Sequence, residues 1–268
     1  MLHQNKDPKL NWDFYLDRLL RIPNALLRAG FGVAESRTKA SFEHGAAKKG
    51  FRPLSPMLHQ ALIPLAEVIC LCFCYSCYMK TVLFVPGFRE GLKSRDYYNV
   101  IKAIEGKGYN VIFVPIKWVR TTINEWISEL DIEYAKHSPE ETILAGFSFG
   151  SMTAFLSATK KNPRELWLFS LSPYFAEDMP KMKKSWLRDI GSHRANEFRL
   201  ISFREYAKKI NCKTLIFVGE IEAKKYPLIG ERSKEAKKYI VGSQIIWVKD
   251  TDHDVVATSY IDAITMNI

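Results

Sequence analysis

A chain of 268 residues has room for one large domain, or for one domain with an appendage. At 47% hydrophobic and 25% charged residues it has the make-up of an ordinary globular protein. Its net charge of +10 is spread out, +4 over residues 1–78 and +6 over residues 79–268. That spread argues against a nucleic-acid-binding stripe and leaves solubility, or attraction to anionic substrates or surfaces, as the role of the excess.

Residues 12–20 can form a short amphipathic helix, stopped by Pro23. From 31 to 56 the chain mixes Gly, Ala, Ser, Lys and Arg without periodicity, which reads as loop or disorder. No apolar stretch follows Met1, so no secretory signal is expected. Residues 61–78 are almost wholly apolar, broken by Pro64, Glu67 and Ser76, and are about the shortest length that spans a bilayer. Glu67 would be costly in lipid. Three readings stand for this stretch: a signal anchor, a buried or interfacial helix, and a segment outside the native fold. The last follows from Met79-Lys80-Thr81-Val82-Leu83-Phe84-Val85, where a methionine directly precedes an apolar strand, as at the natural start of a cytosolic domain.

Four of the five cysteines, Cys70, Cys72, Cys74 and Cys77, lie in that apolar run, and Cys212 is apart. Their spacing matches no common zinc pattern, no histidine or carboxylate cluster accompanies them, and no even disulfide framework is present. A reducing compartment follows, so a cytoplasmic location is expected, with membrane anchoring through 61–78 as the alternative. No metal and no organic cofactor is implied.

From Met79 onward short apolar runs alternate with amphipathic segments. Strands are predicted at 81–85, 111–114, 143–145, 166–171, 215–218 and 245–248. Ser94 can cap a helix carrying Tyr97, Val100, Ile101 and Ile104 on one face. Thr122 and Glu125 form a capping box for a helix carrying Ile123, Trp126, Ile127, Leu130 and Tyr134. A last helix is predicted at about 255–266. Strands apolar on both faces that alternate with helices mean a mostly parallel six-stranded sheet covered on both sides, an α/β fold preceded by an irregular or helical extension over 1–78. Residues 174–210, the longest connection, read as two or three short helices, a small cap or an enlarged crossover.

The third strand runs into Gly146-Phe147-Ser148-Phe149-Gly150, and a helix-forming stretch follows. Strand, sharp turn and helix around G-x-S-x-G form a nucleophile elbow, in which glycines let strand and helix approach closely while the serine is presented above the sheet. The Phe149 N–H then lies at a helix N-terminus, where it can meet a developing oxyanion. A serine hydroxyl needs a base, and the base an orienting acid. Of six histidines only His253 follows the final strand directly with a helix after it. The acid is expected after the strand before, where Glu220 and Glu222 both stand; local pattern does not separate them.

Elbow, later acid and final histidine together resemble the α/β-hydrolase superfamily over residues 79–268, in the chain order Ser, acid, His. The resemblance implies a trimmed version of that fold without the early antiparallel strands. It places the acid three residues after the strand-end glycine, at Glu222, with Glu220 as the alternative. It also implies an oxyanion loop at Pro86-Gly87-Phe88, where Phe88 supplies the second backbone N–H beside Phe149. The implied activity is that of a serine hydrolase, carboxylesterase-like or thioesterase-like, acting on a small ester, thioester or amide through an acyl-enzyme. A catalytically silent binding protein on the same scaffold is the competing reading. The implied partner is a small-molecule acyl substrate, not nucleic acid; the chain carries no signal of oligomeric state.

Every proposed catalytic side chain and oxyanion donor lies after Met79. A chain beginning at Met79 is therefore expected to fold and to keep the esterase activity of the full chain. Comparing soluble yield and ester turnover of the two checks it; an inactive or insoluble shorter chain beside an active longer one refutes it.

Overall fold

The computed structural model describes residues 79–94 and 96–268. The expectations for residues 1–78, the apolar stretch 61–78 among them, lie outside the described residues.

Six strands form one sheet: β1 (Thr81–Val85), β2 (Asn110–Phe113), β3 (Thr142–Phe147), β4 (Glu165–Phe169), β5 (Lys213–Gly219) and β6 (Gln244–Val248). All pairings are parallel, in the order β2-β1-β3-β4-β5-β6. Each apolar run predicted as a strand is one. The intervening segments form α1 (Tyr97–Glu105), α2 (Ile123–Tyr134) and α3 (Phe149–Lys161). Between β4 and β5 come a 3-10 turn (Met179–Lys181) and the short helices α4 (Lys184–Ile190), α5 (Ser192–Phe198) and α6 (Phe203–Ala207). The helices α7 (Glu220–Lys225), α8 (Pro227–Tyr239) and α9 (Thr258–Asn267) complete the order.

Because successive strand side chains point to opposite faces, each strand feeds two cores. Val82, Phe84, Ile143, Ala145, Trp167 and Phe217 pack under α1 and α9. Leu83, Val85, Leu144, Leu168 and Ile216 pack on the other face, with α2, α3, α8 and the apolar side chains of α4–α6. Burial on both faces is what forced the strands to be apolar throughout. The chain moves from β1 outward to β2 and returns to lay β3 on the other side of β1. That reversal leaves a crevice beyond the C-terminal ends of β1 and β3, where open α/β sheets bind ligands.

Strands β2, β3, β5 and β6 differ from the sequence reading by one or two residues at their ends, and three further differences have a visible cause. Ser94 does not cap α1; its Oγ accepts the Gly91 N–H at 2.8 Å inside a turn, and Asp96 stands at the N-cap. β4 stops at Phe169 instead of running to Leu171, because Ser170 turns to a φ of 51°. The last helix begins at Thr258, since the residues before it form the turns that carry His253. At α2 the box holds: Glu125 accepts the Thr122 N–H at 2.9 Å.

The segment between β4 and β5 is anchored by a buried ion pair. Arg232 of α8, 2% exposed, donates to both oxygens of Asp178 at 2.5 and 3.1 Å and to Glu235 at 2.7 Å. Its guanidinium lies 4.1 Å from the centre of the Phe203 ring. Burial pushes the Asp178 carboxyl above its usual range, against the pull of Arg232. Asp178→Ala leaves that guanidinium buried beside an empty place, so a loss of about 3–5 kcal/mol is expected in urea denaturation. Lys181→Ala, which removes the exposed pair with Glu231, should cost at most about 1 kcal/mol.

Candidate active site

The turn from β3 into α3 is set by backbone contact. A Cβ on Gly146 would lie 2.3 Å from the Gly150 carbonyl, and one on Gly150 would lie 2.2 Å from the Val85 oxygen. Only glycine fits at either place, and α3 therefore sits directly against β1 and β3. Between them Ser148 takes φ 56° and ψ −117°, an uncommon conformation for a residue with a side chain. Its N–H donates to the Phe169 oxygen at 2.9 Å, which fastens the turn to β4.

Ser148 Oγ lies 3.1 Å from His253 Nε2. Held in the loop after β6, His253 donates its backbone N–H to Asp252 at 2.8 Å, and Lys225 grips the other Asp252 oxygen at 2.6 Å. The Phe147 ring lies 4.7 Å from the imidazole, centre to centre. On its far side His253 Nδ1 meets Glu222 Oε1 at 2.5 Å. With the carboxylate accepting, Nδ1 carries the hydrogen and Nε2 is left to accept from the Ser148 hydroxyl.

Glu222 is 0% exposed. Its second oxygen accepts from Ser170 Oγ at 2.8 Å and from the Gly219 N–H at 3.0 Å. Ser170 lies 3.0 Å from the Tyr260 hydroxyl, which donates to the Phe217 oxygen at 3.1 Å. Burial, then the nearby Glu222, pushes the Tyr260 phenol well above its ordinary value. The start of α7 is docked on the histidine loop: the N–H groups of Ile221 and Glu222 donate to the Thr251 oxygen at 3.1 and 3.2 Å.

Glu220 is not brought to the histidine. β5 ends at Gly219, so the two glutamates lie on a helix, where residues two apart face different ways. Glu220 lines a separate cavity with Lys224 and Trp247. The first two carboxylates after β4 do not compete: Asp178 is taken by Arg232, and Glu177 accepts the Phe203 and Arg204 N–H groups at the start of α6. Among the other described histidines, His137 lies 3.4 Å from Glu133, and His193 is on α5.

Phe88, in the loop after β1, has its ring 5.1 Å from that of Phe149, centre to centre, so the two residues expected to supply N–H groups are neighbours. Trp118 and Trp126 pack on the same ring at 5.7 and 5.8 Å. Three participants were missed by sequence reasoning: Ser170, Tyr260 and Ser172. Ser172, 3% exposed, has its Oγ 3.2 Å from Ser148 Oγ. The available signal was a Ser-Leu-Ser directly after an apolar strand on the ligand-binding edge of the sheet. A cavity of about 260 Å3 opens beside Ser148, Ser172 and His253.

No family model and no curated protein sequence matches this chain. Solved structures do. Est1E from Butyrivibrio proteoclasticus superposes with a TM-score of 0.59 at 15% identity, over 70% of this chain and 84% of that one. Alpha/beta hydrolase domain-containing protein 10 from mouse gives 0.55 at 13% identity, over 69% and 86%. The esterase EaEST from Exiguobacterium antarcticum gives 0.51 at 16% identity, over 70% and 89%. At these identities the likeness is one of fold.

The close packing at the turn makes a stability prediction. Gly150→Ala drives a methyl group into the Val85 carbonyl, which must move. A loss of at least about 1–3 kcal/mol is expected, the range for forced overpacking, with reduced reactivity of Ser148. Denaturation midpoints together with labelling rates by a serine-directed probe check both; an unchanged midpoint refutes the account of the turn.

Proposed function

We propose that this chain, whose fold is that of the α/β-hydrolases, is a serine hydrolase that cleaves a small ester, thioester or amide through a Ser148–His253–Glu222 triad. The hydrolase-type fold supports hydrolysis in general. The observation that carries the finer reading is the unbroken line from Ser148 Oγ through both imidazole nitrogens to a fully buried carboxylate.

Ser148 gives its proton to His253 Nε2 as its oxygen bonds the acyl carbon. The carbonyl electrons move onto oxygen, and the N–H groups of Phe88 and Phe149 hold that charge, helped by the N-terminus of the 13-residue α3. Glu222 fixes the tautomer and stabilises the imidazolium. Collapse expels the alcohol, thiol or amine, which takes the proton from Nε2 and leaves an acyl-Ser148 ester. Water repeats the sequence: it gives a proton to Nε2, bonds the acyl carbon, and the Ser148 oxygen leaves and regains its hydrogen. The acid is released and no cofactor is consumed. With the Ser148 hydrogen directed at Nε2, the Ser172 hydroxyl 3.2 Å away is left to donate to the Ser148 oxygen, the atom that must accept charge whenever the acyl bond forms or breaks.

A fluorophosphonate probe should label the wild-type chain and not Ser148→Ala. Ser148→Ala and His253→Ala should each lower ester turnover by roughly 10^4-fold or more, since the residues act as a unit. Glu222→Gln should lower kcat by up to about 10^4-fold, as loss of the correct tautomer does, while Glu220→Gln stays near wild type. A chain that neither takes the probe nor turns over any ester is the silent binding protein instead.

A further inference from the structure

We infer that the cavity beside Ser148 is a ring-binding subsite, so that the substrates are short esters or thioesters bearing an aryl group. The inference rests on the hydrolase reading above and adds the substrate class.

Size comes first. The cavity measures about 260 Å3. An apolar cavity of ~150 Å3 is enough to bind benzene. There is space for one six-membered ring and the few atoms that link it to a carbonyl at Ser148. A long acyl chain would overrun the cavity and lie in water.

The walls come second. Phe149, Tyr174, Trp186, Tyr226 and Ile229 line it, with Asp189 as its one acidic wall residue. The Tyr174 ring lies 4.7 Å from that of Phe149 at a tilt of 34°. Trp186 comes from α4 and Tyr226 from the joint between α7 and α8, with their rings 5.7 Å apart at 58°. Tyr174, Trp186 and Tyr226 are each half-buried. Desolvation raises the Tyr174 phenol to about 12, so its ring stays neutral. Rings placed about 4.5–7 Å from an aromatic wall gain offset or edge contacts that an alkyl chain of equal area does not.

The walls are also held in place before a substrate arrives. Lys183 lies 5.7 Å from the Trp186 ring centre and Lys225 lies 5.2 Å from that of Tyr226. Tyr174 is backed by Phe198 as well as Phe149. A preformed slot avoids the ordering cost that a flexible groove incurs on binding. An aliphatic site of the same size needs no such set of flat side chains.

The ring can sit on the acyl or on the alcohol side, and two substrate pairs separate these. Methyl 3-phenylpropanoate against methyl octanoate tests the acyl side; benzyl acetate against hexyl acetate tests the alcohol side. Turnover of each is followed by pH-stat with the full-length protein. In at least one pair the ring-bearing ester should have a kcat/KM roughly 10-fold higher, as two or more ring contacts supply. Trp186→Leu and Tyr226→Leu should each shrink that ratio by ~3-fold or more, the worth of one lost ring pair. Ratios at or below one in both pairs overturn the subsite, as does a ratio that survives both substitutions in a folded protein. If Ser148-dependent turnover is present without the ring preference, the subsite alone is wrong. If no ester is turned over in a Ser148-dependent way, the hydrolase reading falls and the subsite with it.

Discussion

A carboxylate with no exposure to water must find its partners inside the protein, and Glu222 does so with three groups, two of them on distant pieces of chain. Ser170 comes from the end of β4, Gly219 from the end of β5, and His253 from the loop after β6; Glu222 itself opens α7. None of these contacts can be lost cheaply, because an unpaired acceptor at that depth costs its full desolvation. The orientation of the imidazole is thus not a local property of the loop that carries it. It is enforced by the requirement to satisfy a buried acid, and Tyr260 of α9 extends the requirement to the opposite face of the sheet.

The same edge of the sheet stores backbone strain. Among the described residues six non-glycine positions have positive φ, and four of them, Arg89, Ser148, Ser170 and Asp250, follow strand ends within a few residues. At Ser148 and Ser170 the turn aims the hydroxyl at the site, toward His253 and Glu222. Such conformations persist only when the surroundings over-determine them. Here the surroundings are a parallel sheet buried on both faces, whose stiffness holds the turns. The glycines at 146 and 150 serve the same end by letting a helix press against two strands.

Much of this was legible in the sequence, and the reasons are particular. The strands could be read because burial on both faces requires continuous apolar runs, and β1 was placed to the residue. Ser148 and His253 could be read because each lies between a strand and a helix. The choice between Glu220 and Glu222 could not be made from pattern, since it turns on whether the chain is strand or helix past Gly219. The family resemblance pointed to Glu222, and the helix that starts at Glu220 supplies the physical reason. Ser170, Ser172 and Tyr260 were missed because their roles arise from contacts 52, 24 and 90 residues away along the chain, and the Ser-Leu-Ser after β4 marks a place without naming a partner. No periodicity or spacing encodes a partner at such separations.

The segment between β4 and β5 completes the argument about rigidity. Arg194 of α5 donates to the Trp118 and Thr121 carbonyls at 2.8 and 2.7 Å, and Glu197 accepts the Ile123 N–H at 3.2 Å. Arg194 thereby ties α5 to the loop that precedes α2, and its guanidinium lies 5.3 Å from the Phe88 ring centre. The residue expected to bind the oxyanion, the aromatic cluster behind it and the helix that carries Phe198 are one packed unit. A lid that opened by lifting α5 would have to break three hydrogen bonds between its side chains and the facing backbone and expose Phe198, which is fully buried. The packing therefore argues against a lid that opens by lifting α5 as a unit.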